Sequence, residues 1–170
     1  VDSGAYYADA VKWAVEHDVT QGTSATTFSP DANCTRAETV TLLWRAMGSP
    51  EPTSQVNPFQ DVEAGQYYYT ALLWAVENGI TTGTTATTFS PDNPVTRGEF
   101  VTFLYRAMGS GVSGAENPFQ DVSAGAYYAL PVAWAVENQI TKGSSATTFS
   151  PELLCTRAQT VTFLYRAMAD

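Results

Sequence analysis

The sequence repeats itself three times, and this internal repeat constrains the fold more than any other feature. A fixed period of about 60 residues is typical of repeated supersecondary units, none of which buries its apolar surface alone. A catalytic centre does not need three copies, whereas a multi-site binding or anchoring module does. The clearest repeated landmarks are a tryptophan and a threonine-arginine pair, found at Trp13, Trp74 and Trp134 and at Thr35-Arg36, Thr96-Arg97 and Thr156-Arg157.

The repeat predicts a single domain spanning residues 1–170, because one copy alone is close to the lower size limit for independent folding. We divide it into motif 1 (residues 1–56), motif 2 (57–116) and motif 3 (117–170). Motifs 2 and 3 open with Asn-Pro-Phe-Gln-Asp, which motif 1 lacks. We therefore expect motif 1 to be N-terminally incomplete and the chain to be a piece of a longer protein.

The net charge of −9, with only eight basic residues, argues against nucleic acid or an anionic membrane surface as a partner. No stretch approaches the roughly 20 apolar residues of a membrane span. Basic charge is nevertheless placed by the repeat, because six of the eight basic residues are arginines at equivalent positions: Arg36, Arg97 and Arg157, then Arg45, Arg106 and Arg166.

Each motif reads as a helix, a loop and a second helix. In motif 2 the first helix is predicted over about Gln66 to Asn78, and Gly79 sits where a left-handed turn would end it. The equivalents of Gly79 are Asp18 and Gln139. The loop that follows is rich in hydroxyls around one phenylalanine, and it retains a glycine in all three copies, which suggests a backbone angle that a side chain would forbid.

The second helix begins with a capping box. Thr96 supplies an N-cap hydroxyl, and Glu99 is placed three residues later to cap the free backbone amide in return. Thr35 with Glu38 repeats the pattern, and Thr156 with Gln159 is its amide version. Both helices of each motif have broad apolar faces, so they must pack on helices of other motifs.

Two cysteines, Cys34 and Cys155, directly precede threonine-arginine pairs, and Val95 takes the same position in motif 2. A position that accepts valine is more typical of a small buried apolar site than of a half-cystine. We favour buried thiols, with a Cys34–Cys155 disulfide as the alternative.

Aligned in this way, each copy resembles a surface-layer homology (SLH) motif. Motif 2 carries all five fragments of that family pattern in order: Phe59-Gln60-Asp61-Val62, Tyr67-Tyr68, Gly79-Ile80-Thr81-Thr82-Gly83, Thr88-Phe89-Ser90-Pro91 and Val95-Thr96-Arg97-Gly98-Glu99. The resemblance covers essentially the whole chain.

The resemblance implies an all-α fold in which three helix-loop-helix motifs form a pseudo-threefold arrangement, with a central three-helix bundle and three prongs. We expect the first helices, around Val11–Val15, Leu72–Val76 and Val132–Val136, to form that bundle. The resemblance also implies a monomeric anchoring module of a larger protein at the bacterial cell surface. Such a module binds secondary cell-wall polysaccharide, for example a pyruvylated amino sugar, in grooves between motifs.

The family resemblance makes Arg36, Arg97 and Arg157 the first candidates for ligand contact, since a guanidinium matches a carboxylate bidentately. A helix N-terminus would favour the same anion. The alternative is structural pairing with a carboxylate such as Asp61 or Asp121. Because motif 3 has Gln159 instead of glutamate, we expect the groove around Arg157 to diverge. For the later arginines Arg45, Arg106 and Arg166 we favour a structural role.

Other candidates are weighed against the core. Trp13, Trp74 and Trp134 could stack on sugar rings, but tryptophan at helical spacing more often packs inside. Thr84 and Thr85 in the hydroxyl loop could hydrogen-bond a sugar, although such loops also bond their own backbone.

No catalytic arrangement is apparent, because His17 is the only histidine and no phosphate-binding or calcium loop is present. We expect no enzyme activity, no metal and no cofactor. The alternative function is a protein-interaction or structural surface module that keeps this fold without binding polysaccharide. An exposed apolar patch across the prong tips would favour it.

Overall fold

The structure, a computed structural model, describes residues 1–109 and 116–169. This part of the chain forms six α-helices, two in each motif, with isolated β-bridges as its only extended pairing. The all-α class is confirmed. The helices are α1 (Ala8–Glu16), α2 (Arg36–Ala46), α3 (Tyr69–Glu77), α4 (Arg97–Ala107), α5 (Ala129–Glu137) and α6 (Arg157–Met168).

The second helices occupy the centre of the molecule: α2, α4 and α6 contact each other pairwise. The first helix of each motif packs on the second helix of another motif, α3 on α2, α5 on α4 and α1 on α6. The α1–α6 contact joins motif 1 to motif 3 and closes a ring. The three motifs are therefore arranged about a pseudo-threefold axis and do not stack as a linear solenoid.

The prediction that the first helices form the central bundle was wrong. The second helices contain threonines, which made them look less apolar than the first helices, yet Thr41, Thr102 and Thr162 are all buried. Each hydroxyl donates to the carbonyl four residues earlier, at 2.8 Å for Thr41 and 2.7 Å for the other two. Because this local bond satisfies the hydroxyl, the threonine can be buried without an unpaired polar group.

A closed ring of backbone hydrogen bonds surrounds the pseudo-threefold axis, directly before the second helices. The amide of Cys34 donates to the Cys155 carbonyl at 2.9 Å, Cys155 donates to Val95 at 2.9 Å, and Val95 donates to Cys34 at 3.0 Å. All three residues are fully buried. The ring brings the starts of α2, α4 and α6 together, which is why these helices are central.

The two cysteines are free and buried, as favoured from the sequence. Burial is the main factor that raises the pKa of the Cys34 thiol to about 11 and that of Cys155 to about 12. Both side chains therefore behave as small apolar groups at neutral pH.

The predicted capping boxes are confirmed at all three second helices. The hydroxyls of Thr35, Thr96 and Thr156 accept the amide three residues on, at 3.2, 3.2 and 3.3 Å. Each threonine amide donates back to a side chain: Glu38 at 2.9 Å, Glu99 at 2.8 Å and Gln159 at 3.3 Å.

The first helices all end in a left-handed residue, whether or not it is glycine: φ is 56° at Asp18, 65° at Gly79 and 59° at Gln139. The loop glycines also need positive φ, with 81° at Gly22, 86° at Gly83 and 84° at Gly143. A Cβ on Gly83 would collide with the Phe59 ring and the Thr88 carbonyl. The loop is therefore tightly folded, and its phenylalanine is buried as predicted: Phe28, Phe89 and Phe149.

Candidate ligand-binding grooves

Three equivalent grooves lie between the motifs, and each takes residues from all three. We name each groove after the motif whose glycine turn lines it. The first has a volume of about 330 Å³, the second about 330 Å³ and the third about 380 Å³. Each contains a floor arginine, a rim arginine and a tyrosine. These are Arg157, Arg45 and Tyr67 in the first groove, Arg36, Arg106 and Tyr127 in the second, and Arg97, Arg166 and Tyr6 in the third.

The floor arginines are the threonine-arginine residues singled out from the sequence, and they are deeply set, with only 4–5% of each residue exposed. Each Nε donates to the carbonyl of a neighbouring motif's buried phenylalanine. Arg36 reaches Phe89 at 2.8 Å, and Arg157 reaches Phe28 at 3.0 Å. The guanidinium carbons also lie about 5 Å from the same rings, at 5.0 and 5.1 Å. These arginines hold adjacent motifs together as well as lining the grooves.

Two of the floor arginines form ion pairs across motif boundaries. Nη1 of Arg36 lies 3.1 Å from Oε1 of Glu99, and Nη1 of Arg157 lies 3.0 Å from Oε1 of Glu38. The alternative of structural pairing with a carboxylate is therefore observed for Arg36 and Arg157, but the partners are the capping-box glutamates and not Asp61 or Asp121. Asp61 instead accepts the backbone amides of the Phe89 loop, at 2.8 and 2.7 Å, and Asp121 does the same in motif 3.

Gln159 faces Arg97, because the capping side chain of each motif meets the arginine of the preceding one. The prediction that the Arg157 groove would diverge was therefore wrong: Arg157 retains a carboxylate partner, Glu38. The residue deprived of a glutamate is Arg97, whose Nε donates to the Phe149 carbonyl at 3.0 Å.

Burial opposes the positive charge at the groove floors. Desolvation is the largest effect at Arg36 and Arg97, and it lowers the pKa of both guanidinium groups. Arginine nevertheless remains protonated at any physiological pH. A charged group that has lost water favours an anionic partner, supplied either by the protein or by a ligand.

The helix N-termini do not supply an anion site, contrary to the expectation from the sequence. The first two amides of α2 donate to Asn93 and Pro91 carbonyls, at 2.9 and 3.0 Å, and the third donates to the Thr35 hydroxyl. The starts of α4 and α6 are satisfied in the same way. Recognition of an anion in the grooves must therefore come from side chains.

The rim arginines Arg45, Arg106 and Arg166 also line the grooves, although the sequence favoured a structural role for them. That role is present too, since Nη1 of Arg106 donates to the Ile80 carbonyl at 3.0 Å and Nη1 of Arg166 to Ile140 at 3.2 Å. Their repeat-equivalent placement was the only signal in the sequence, and it did not indicate that they line the grooves.

The tyrosines were missed as groove residues. Tyr6, Tyr67 and Tyr127 are each the first member of a repeated Tyr-Tyr pair, and 59–64% of each residue is exposed. Desolvation is the largest cause that raises the pKa of Tyr67 and Tyr127 to about 12, and the second is the negative charge of Glu38 near Tyr67 and of Glu99 near Tyr127. Each groove therefore has an exposed aromatic ring whose hydroxyl remains a proton donor at neutral pH.

The tryptophans lie elsewhere. Trp74 and Trp134 are buried in the core, and Trp13 packs against Tyr165 with ring centroids 5.9 Å apart. Trp13 lines a separate cavity of about 600 Å³ between α1 and α6. Thr84 lines the second groove, whereas the Thr85 hydroxyl is 2.5 Å from that of Thr88 within the loop.

The family model for the S-layer homology domain matches the chain in three tandem segments, residues 1–40, 58–101 and 118–161. These segments cover most of the chain and fall one in each motif. The chain belongs to the S-layer homology family. Membership indicates a location at the cell surface or cell wall and a role in anchoring.

Relatives of this S-layer homology chain include surface proteins and an enzyme. It is 35% identical over 156 residues to a surface-layer 125 kDa protein of Lysinibacillus sphaericus, covering 89% of this chain and 13% of that protein. An endoglucanase of Bacillus sp. is 34% identical over 117 residues, covering 69% and 12%. A cellulosome-anchoring protein of Acetivibrio thermocellus is 26% identical over 148 residues, covering 83% and 33%.

The chain thus spans 12–33% of the length of these relatives. Within residues 1–109 and 116–169, no helix is long and apolar enough to cross a membrane. The same residues contain no cluster of three or more histidine, cysteine, aspartate or glutamate side chains that could hold a metal ion.

Proposed function

We propose that this S-layer homology chain anchors a larger surface protein by binding secondary cell-wall polysaccharide non-covalently in its three grooves. The observation that carries the proposal is that the same groups recur in all three grooves: two arginines, a tyrosine and a glycine turn. In each groove these groups come from three different motifs. A site assembled in this way exists only in the folded domain, and it occurs three times. Repetition suits a polymer, which offers many identical sugars to one module.

The chemistry of the lining fits an acidic sugar. The grooves are within the range of volumes that bind small molecules. An exposed tyrosine ring offers a flat apolar surface to a sugar ring, and the glycine turns offer backbone groups and hydroxyls. The arginines offer charge-assisted hydrogen bonds to a carboxylate. A pyruvylated amino sugar has a ring, hydroxyl groups and a carboxylate that match these three groups of the protein, and we propose it as the bound unit.

The module itself is proposed to be non-catalytic and monomeric, with no affinity for nucleic acid. The overall charge of −9 supports the last point. The buried floor arginines Arg36 and Arg157 are engaged with their glutamates, which suits a static binding site better than proton transfer.

The test is a pull-down with purified cell-wall sacculi before and after extraction of the secondary polymers. We expect the chain to sediment with intact sacculi and to remain in solution with extracted sacculi. Retention by the extracted sacculi would contradict polysaccharide binding. Retention that a protease treatment of the sacculi abolishes would favour the protein-interaction alternative.

A further inference from the structure

The three grooves differ in charge, and the difference comes from one side chain. In the first and second grooves a glutamate neutralises the floor arginine, with Glu38 on Arg157 and Glu99 on Arg36. In the third groove the equivalent position is Gln159. Its Oε1 accepts the Thr156 amide at 3.3 Å, so the cap of α6 is kept while the negative charge is lost.

The floor arginine of the third groove has no carboxylate partner among the described residues. Its Nε is bonded to the Phe149 carbonyl, and its guanidinium lies over the rings of Phe149 and Phe163, at 4.7 and 5.4 Å. No ion pair is formed by Arg97 within residues 1–109 and 116–169. Only 5% of the residue is exposed, so little solvent compensates the charge.

A second cation adds to the difference. Lys142 lines the third groove at the position that Gln21 and Thr82 occupy in the other two. The lining of the third groove therefore contains Arg97, Lys142 and Arg166 and no carboxylate, whereas each of the others contains two arginines and one glutamate. This concentration of positive charge stands out in a chain whose net charge is −9.

We infer that the third groove is the principal anion site of the module, and that Gln159 makes it so by leaving Arg97 free to pair with the ligand. This inference rests on the proposed function and adds to it which groove takes the acidic group. A carboxylate entering the third groove supplies the counter-ion that Glu38 and Glu99 supply in the others. In the first and second grooves, the same carboxylate must share an arginine that is already paired.

The test is an NMR titration of the folded chain with a pyruvylated amino-sugar glycoside, and with its methyl ester as the uncharged control. Backbone amides of Gly143, Gly22 and Gly83 report on the third, first and second grooves. We expect Gly143 to respond at a concentration about tenfold lower than the other two, and the methyl ester to lose that preference. Equal responses in the three grooves, or no response at Gly143, would overturn the inference.

Two matched substitutions test the role of the side chain at this position. Gln159→Glu should weaken binding in the third groove by about tenfold while raising the thermal midpoint, because Arg97 gains an internal partner. Glu99→Gln should strengthen binding in the second groove by a similar factor, and Gln159 itself shows that the amide preserves the cap. A weaker third groove without a stabilised fold would contradict the mechanism.

Failure of the inference is distinguishable from failure of the proposed function. Sacculi binding by the unaltered chain tests the function and does not depend on which groove is used. If the chain sediments with sacculi but the grooves respond equally to the glycoside, the anchoring role stands and the charge-based ranking is wrong.

Discussion

Arg157 of the last motif and Glu38 of the first form an ion pair, with Nη1 and Oε1 3.0 Å apart. The pair joins residues 119 positions apart in sequence, and it connects α6 to α2. The same arginine donates Nε to the Phe28 carbonyl at 3.0 Å. The residue therefore fastens motif 3 to motif 1 in addition to lining a groove.

Removing this pair should destabilise the fold. A double-mutant cycle with Arg157→Met and Glu38→Gln is expected to give a coupling energy of about 1–2 kcal/mol, since Arg157 is buried but Glu38 is partly solvated. Urea denaturation of the four proteins gives the value. A coupling energy near zero would show that the pair is a consequence of the fold and contributes nothing to it.

The capping threonines should each contribute measurably. Thr96→Ala removes the acceptor for the Glu99 amide and is expected to lower the free energy of unfolding by about 1 kcal/mol. Thr87→Ala serves as the control, because Thr87 lies on the exposed loop of the same motif. Chemical denaturation that fails to separate the two variants would contradict the capping argument.

A glycine at the left-handed turn that ends α5 in motif 3 should stabilise the fold. Gln139 has a φ of 59°, in the same position as Gly79 at 65°. Gln139→Gly should raise the free energy of unfolding by about 0.5–1 kcal/mol, because glycine avoids the steric cost of that conformation. The reverse substitution, Gly79→Gln, should cost a similar amount, and an unchanged thermal midpoint in both would refute the account.

The buried thiols should be chemically silent in the native state. Because burial raises the pKa values of Cys34 and Cys155 to about 11 and about 12, little thiolate forms at pH 8. We expect no rapid reaction with the aromatic disulfide reagent DTNB in buffer and full reaction of both thiols in denaturant. Fast labelling of the folded chain would contradict the burial of Cys34 and Cys155.

The same shifts predict a pH dependence of stability. The folded-state pKa lies above the ordinary thiol value of 9.0, so the unfolded state releases these protons first. The free energy of unfolding should therefore fall as the pH rises from about 9 towards 12. Cys34→Val, which copies the residue of motif 2, should reduce that slope.

Sequence alone could predict much of this fold because local rules dominate it. The capping boxes, the three loop glycines and the buried Phe89 were all predictable, since each depends on residues close in the chain. The position of the second helices at the centre was not predictable, because Thr41, Thr102 and Thr162 look like surface residues in the sequence, whereas each is buried with its hydroxyl bonded to a carbonyl of its own helix. The ring through Cys34, Val95 and Cys155 pairs residues from different motifs, which no local pattern indicates.

The candidate site divides in the same way. The floor arginines were found because the family pattern and the repeat both marked them, and the repeat also marked Arg45, Arg106 and Arg166 without indicating their place in the grooves. Which carboxylate meets which arginine could not be predicted, because it depends on the order of motifs around the axis. For that reason the sequence predicts an effect of Gln159 on Arg157, whereas in the structure Gln159 lies beside Arg97.

The most direct test of groove binding is the affinity for sacculi of a triple variant, Arg45→Gln, Arg106→Gln and Arg166→Gln. These arginines lie at the groove rims and are more exposed than the floor arginines, so the fold should survive. Lys12→Gln is the control, because Lys12 is exposed and lies outside the three grooves. We predict a loss of sacculi binding of about tenfold or more in the triple variant and none in the control. Unchanged binding by a triple variant whose circular dichroism matches the unaltered chain would contradict the account.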